Sequence, residues 1–131
     1  MEDNRVLSNE IFETAREYLP RLINGLEKAS EHFKEEDNAA GLHLLSEAGD
    51  GLSWFNQVVL GLPVIIPQGE NTADISENWV PYLDALKSTL GNIEKMDTAA
   101  IAFSLDQEII PFIKVVHGKI INMTRHIPYA N

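Results

Sequence analysis

The chain has 131 residues, of which 44% are apolar and 23% charged, the make-up of one ordinary globular domain and not of a disordered segment. Twenty acidic residues against ten basic ones give a formal charge of -10, and the basic residues are scattered, which argues against nucleic acid and anionic membranes as partners. There is no cysteine, hence no disulfide, thiolate metal site or thiol nucleophile, and no run approaches the roughly 20 apolar residues of a membrane span. The start, MEDNRVLSNEIF, is acidic and mixed and does not read as a signal peptide, so a cytoplasmic protein is expected.

Four helices follow from 3.6-residue periodicity. The first is expected from about Ser8, an acceptable N-cap, to Glu35, with the stripe Ile11, Ala15, Tyr18, Leu22, Leu26, Ala29 and Phe33 and a kink or break at Pro20. EHFKEED, residues 31–37, reads as its solvated end or as an acidic patch for a basic partner. The second helix is expected over 38–60, with Leu42, Leu45, Leu52, Phe55 and Val59 on one side and a second line of Leu44, Gly51, Trp54 and Val58 interrupted by Glu47. Residues 61–75, GLPVIIPQGENTADI, read as an irregular crossover with two prolines and two glycines. The third helix starts near Ser76 and uses Trp79, Leu83, Leu86, Leu90 and Ile93; the fourth runs over 98–127 with Ala102, Leu105, Ile109, Phe112, Val116 and Met123.

The short links near 36–38 and 96–98 make antiparallel neighbours, so the expected fold is an all-α four-helix up-down bundle. It consists of hairpin 8–60, crossover 61–75 and hairpin 76–127 in a single domain 1–131. The hairpins resemble each other. YLPRL at 18–22 answers WVPYL at 79–83, and DNAAGLHLL at 37–45 answers DTAAIAFSL at 97–105. The two matches need offsets of 61 and 60, so one residue is lost inside a helix. Asp37 and Asp97 are expected to cap the helices that follow them. Pro111, set between Ile110 and Phe112, should bend the fourth helix by leaving the Gln107 carbonyl without its donor, and Gly51 marks the equivalent place in the second helix.

Chemistry is harder to find. Three residues before His32, His43, His117 and His126 stand Ala29, Ala40, Lys114 and Met123, so the Glu-x-x-His pattern of di-iron bundles is absent, as is HExxH. Neither a nucleophile elbow nor a phosphate loop is present, and Asp106 and Glu108 do not share a helix face. No catalytic residue and no cofactor are expected. The fourth helix, however, is apolar nearly all round from Ile109 to Ile121, which demands burial on more than one side. Either Val64, Ile65 and Ile66 of the crossover cover it, or another chain does. The second case would be a homodimer, or a protein partner such as an amphipathic helix, seated on Leu44, Trp54, Val58, Ile110, Ile113 and Ile121. The alternative function is a small-ligand or metal site using His43, Glu108 and His117.

The segments YLPRLINGLE, 18–27, and DTAAIAFSLDQEIIPFI, 97–113, resemble an uncharacterised bacterial family of small helical proteins. That resemblance spans Tyr18 to about Val116 and implies a helical bundle with no assigned activity. Residues usually charged near Pro111 are here Lys114 and apolar neighbours. In architecture alone, the chain is also similar to flagellar export chaperones, small acidic bundles that sequester a filament segment. The functional expectation is a non-catalytic interaction or regulatory protein that self-associates.

Overall fold

A computed structural model describes residues 2–65 and 72–126. It is an all-α four-helix bundle: α1 is Glu2–Lys34, α2 Asn38–Ile65 and α3 Ala73–Glu94. The fourth helix is built of α4, Thr98–Ser104, a π turn over Leu105–Ile109, and α5, Ile110–His126. Both hairpins are antiparallel.

The two hairpin turns are the same object made twice, 60 residues apart. Glu36 and Met96 take left-handed backbone at φ 63° and 53°. Each is followed by an aspartate whose N–H reaches back five residues, Asp37 to the His32 carbonyl (2.8 Å) and Asp97 to the Asn92 carbonyl (2.9 Å). With the bonds that reach back three residues, from Glu36 N–H to Phe33 and from Met96 N–H to Ile93, this is the Schellman closure that satisfies orphan carbonyls. The same aspartates then start the next helix: Asp37 Oδ1 accepts from Ala40 N–H at 3.4 Å and Asp97 Oδ1 from Ala100 N–H at 3.2 Å. The expected caps are therefore present, and each aspartate serves two helices at once.

Several boundaries differ from expectation. Ser8 lies inside α1, and neither Pro20 nor Pro81 interrupts its helix. The crossover is shorter than 61–75, because residues 61–65 continue α2 and α3 begins at Ala73. Val64 and Ile65 are thus the end of α2; Ile66 lies outside the described residues. At Pro111 the fourth helix widens just ahead of the ring: Ile110 N–H bonds to the Leu105 carbonyl, five residues back. A π turn at this place gives the chain the slack that a mid-helix proline otherwise takes by clashing with the turn below it.

In the square of helices α1 packs closely on α2 and on the fourth helix, and α3 packs closely on the fourth helix. Two flanks of the fourth helix are thus covered by this chain, which accounts for the burial of Ile109, Ile110, Phe112, Ile113, Val116 and Ile120 together. Lys34 pairs with Asp106, and Lys114 with Glu27 at 3.4 Å, tying the fourth helix to α1 at the surface. The backbones of α2 and α3 scarcely approach each other. Aromatic side chains span that wider edge. Phe55 of α2 meets Tyr82 of α3 and Phe112 of α5 edge-to-face, at centroid distances of 5.8 and 6.0 Å, and Tyr82 stacks on Phe112 at 4.6 Å. The Tyr82 hydroxyl crosses to α2 and donates to Asn56 Oδ1 at 2.6 Å.

Burial holds the Tyr82 phenol well above the usual tyrosine range. A raised pKa means that the folded state keeps its proton where the unfolded chain has lost it. The stabilisation is full below about pH 10, the unfolded value, and is lost as pH rises beyond it. Thermal melts should therefore lose stability faster between about pH 9 and 11 in the parent than in Tyr82→Phe. At neutral pH the variant should be less stable by about 1 kcal/mol through the lost hydrogen bond. Equal alkaline slopes in the two proteins would refute this role for Tyr82.

Candidate functional site

The third helix does not bury the side its sequence advertises. Trp79, Leu83, Leu86, Leu90 and Ile93 repeat at heptad spacing and form its apolar stripe, yet its buried residues are Ile75, Tyr82, Ala85 and Thr89. The two sets are turned from each other by roughly 70°, at about 100° per residue. The buried polar member is locally satisfied, since the Thr89 hydroxyl donates to the Ala85 carbonyl at 2.8 Å. The consequence is a half-covered apolar flank. Leu90 is 65% exposed, Val80 60% and Leu83 37%, while Trp79, Leu86 and Ile93 are partly buried beside them.

The residues expected to bind a partner are mostly used within the chain. Val58, Ile110 and Ile113 are buried in the core, and Leu44 and Trp54 are half-buried against it. Trp54 stands edge-to-face with Tyr18 of α1, with centroids 5.5 Å apart, and is thus already engaged by its own hairpin. The second apolar line of α2 faces α1: at Gly51 there is no room for a side chain, because a Cβ would collide with the Tyr18 hydroxyl. Gly51 is therefore a point of close approach between α1 and α2, not the soft spot expected from its alignment with Pro111. Ile121 is half-buried on α5.

The three residues of the ligand alternative do not converge. His43 is exposed and pairs with Glu47 one turn along α2, Nε2 to Oε1 at 2.7 Å. His117 is half-buried on α5, with its Nε2 enclosed and without a hydrogen-bond partner. Their helices, α2 and the fourth, lie across the bundle's diagonal from each other. Among the described residues no three His, Asp or Glu side chains stand together in a way that could hold a metal ion.

Glu108 instead borders a cleft of about 240 Å³ between α3 and the fourth helix. Asn78, Pro81 and Tyr82 line it from α3; Gln107, Pro111, Phe112 and Val115 face them across it. Two helix prolines thus meet in one cleft. Pro111 and its surroundings stand out in the sequence, but nothing there pairs them with Pro81, since that pairing depends on how α3 is rotated.

A family described as a domain of unknown function (DUF8042) has a model that matches residues 10–119. No curated protein and no solved structure matches the chain. Among the described residues no helix is long and apolar enough to cross a membrane.

Proposed function

The chain belongs to the DUF8042 family, a domain of unknown function, and from that premise we propose that it is a non-catalytic interaction module that self-associates through the free flank of α3. One observation carries the reading: the outer half of the heptad stripe, Leu83 and Leu90, is exposed, while Trp79, Leu86 and Ile93 pack half-buried against the core beside it. Single exposed leucines are ordinary on a protein surface. Two of them one heptad apart, flanked by half-buried Leu86 and Ile93 at a 3-4 spacing, form the pattern that buries against another helix at a shallow crossing angle. A second copy offers that same line, and two-fold pairing of one patch with itself is the commonest route to a dimer. Val80, on the outer side of the stripe, would widen the seam.

The interface so placed differs from one on the second and fourth helices, where Val58, Ile110 and Ile113 are buried in the core and Leu44 and Trp54 pack half-buried against it. Sedimentation velocity from about 1 µM to about 500 µM should show the mass rising towards that of a dimer, a span that covers weak and moderate affinities. Leu83→Glu with Leu90→Glu should hold the protein at monomer mass while leaving its helical circular dichroism intact, because both positions are solvent-exposed in the monomer. A monomer at every concentration, or a dimer that persists in the double variant, would rule out this interface.

A further inference from the structure

We propose that the cleft between α3 and the fourth helix takes a single guanidinium or primary ammonium group. The inference is separate from self-association and rests on an imbalance of hydrogen-bonding groups. Pro111 has no N–H for the Gln107 carbonyl, its α-helical partner four residues back. Ile110 gives its N–H to Leu105, so the Asp106 carbonyl also loses its usual donor. On the opposite wall Pro81 has no N–H for the Glu77 carbonyl. A carbonyl four residues before a proline lies against that ring, and both rings line the cleft. Gln107 lines the cleft itself, and Asp106 and Glu77 directly precede lining residues, so backbone acceptors without their helical donors adjoin it.

The side chains add to the same sign. Asn78 spends an amide N–H on the Asp74 carbonyl at 2.7 Å and keeps its oxygen for other donors. The Tyr82 hydroxyl is directed across to Asn56, so only its ring serves the cleft. Glu108 is exposed at the rim, and no lysine or arginine pairs with it among the described residues. The nearby Lys34 and Lys114 are taken by Asp106 and Glu27. A ligand rich in donors, positively charged and lacking acceptors completes this set, as guanidinium and ammonium groups do. The volume of about 240 Å³ is below the roughly 300–1,000 Å³ of sites for drug-sized molecules, which suits one head group. The proline rings and Val115 offer apolar walls to a methylene stem, and the net charge of -10 raises the local concentration of cations.

Such a group can come from an arginine or lysine side chain of another protein, or from a small free amine. Titration of the full ¹⁵N-labelled chain separates them, with N-acetyl-arginine methylamide as the side-chain probe and agmatine and spermidine as the free amines. Amide shifts should move at Asn78, Gln107, Glu108 and Val115 with at least one probe. Stronger binding of the capped arginine points to a protein side chain, and stronger binding of agmatine or spermidine to a free amine. Glu108→Gln, at an exposed position that leaves folding intact, should weaken the binding about fivefold or more through loss of a charge-assisted contact. Glu47→Gln, on the outer face of α2, should leave it unchanged. The site is refuted if no probe moves those four amides, if the shifts spread evenly over the acidic surface, or if Glu108→Gln binds as the parent does.

Discussion

Phe55→Ala should cost about 4 kcal/mol, near the upper end for truncating a buried aromatic, and lower the melting temperature by about 16 °C at roughly 4 °C per kcal/mol for a chain of this size. Phe55 is fully buried and touches both Tyr82 and Phe112 edge-to-face. Its loss therefore removes its own transfer energy and two aromatic contacts of about 0.5–1.5 kcal/mol each. The high value follows from where the cavity opens. On the α2 and α3 edge the backbones stand apart and side chains fill the gap, so little can move in to replace the ring. Phe55→Leu keeps most of the volume and should cost less than half as much. Chemical denaturation of the two variants checks this directly. Equal losses would mean that the edge collapses freely and that the aromatic bridge is not what holds it.

Gly51→Ala should destabilise by about 2 kcal/mol, against a helix-propensity gain of about 1 kcal/mol for removing a glycine. An added Cβ would collide with the Tyr18 hydroxyl and stand 3.0 Å from its Cζ and 3.2 Å from Leu22 Cδ1. Tyr18 cannot swing aside freely because Trp54 stands edge-to-face with its ring. The informative result is a change of sign. In a Tyr18→Ala background the space opens, and the same Gly51→Ala change should stabilise by about 1 kcal/mol. Gly49→Ala, two residues earlier on α2 with nothing within 4 Å of the new Cβ, should stabilise in the parent itself. If Gly51→Ala stabilises the parent as Gly49→Ala does, the close approach of α1 and α2 is not as tight as described.

The helices and their turns were legible in the sequence because their signals are local. Asp37 and Asp97 each follow a short polar link and precede paired small residues, and a cap needs nothing further away than its own third neighbour. The end of α2 was hidden for the opposite reason: glycine and proline in GLPVI argue for a loop locally, and the bundle continues the helix regardless. The rotation of α3 could not be read either. Tyr82, Ala85 and Thr89 look like an indifferent face beside five large apolar residues, and Tyr82 is drawn inward by Phe55, Asn56 and Phe112 on other helices. The same rotation decides the cleft. Glu108 was recognisable as a polar residue of interest, but its companions Asn78 and Pro81 lie on another helix and share no motif with it.

The wide turn at Leu105–Ile109 also settles the mismatch between the two hairpins. The stretch from Trp79 to Asp97 is one residue shorter than that from Tyr18 to Asp37. On a plain helix this would lower Trp79 towards the hairpin turn by about 1.5 Å. A π turn holds an extra residue within a similar rise, so Pro111 sits lower on the returning arm by a comparable step. Trp79 consequently still meets Phe112, at a centroid distance of 6.0 Å, much as Tyr18 meets Gly51 in the first hairpin. The fourth helix works as a vernier: a deletion in one arm and an insertion in the other leave the rungs between them level. Arm lengths in this bundle are thus matched in pairs, and a one-residue edit is tolerated where the facing arm can slip by the same step.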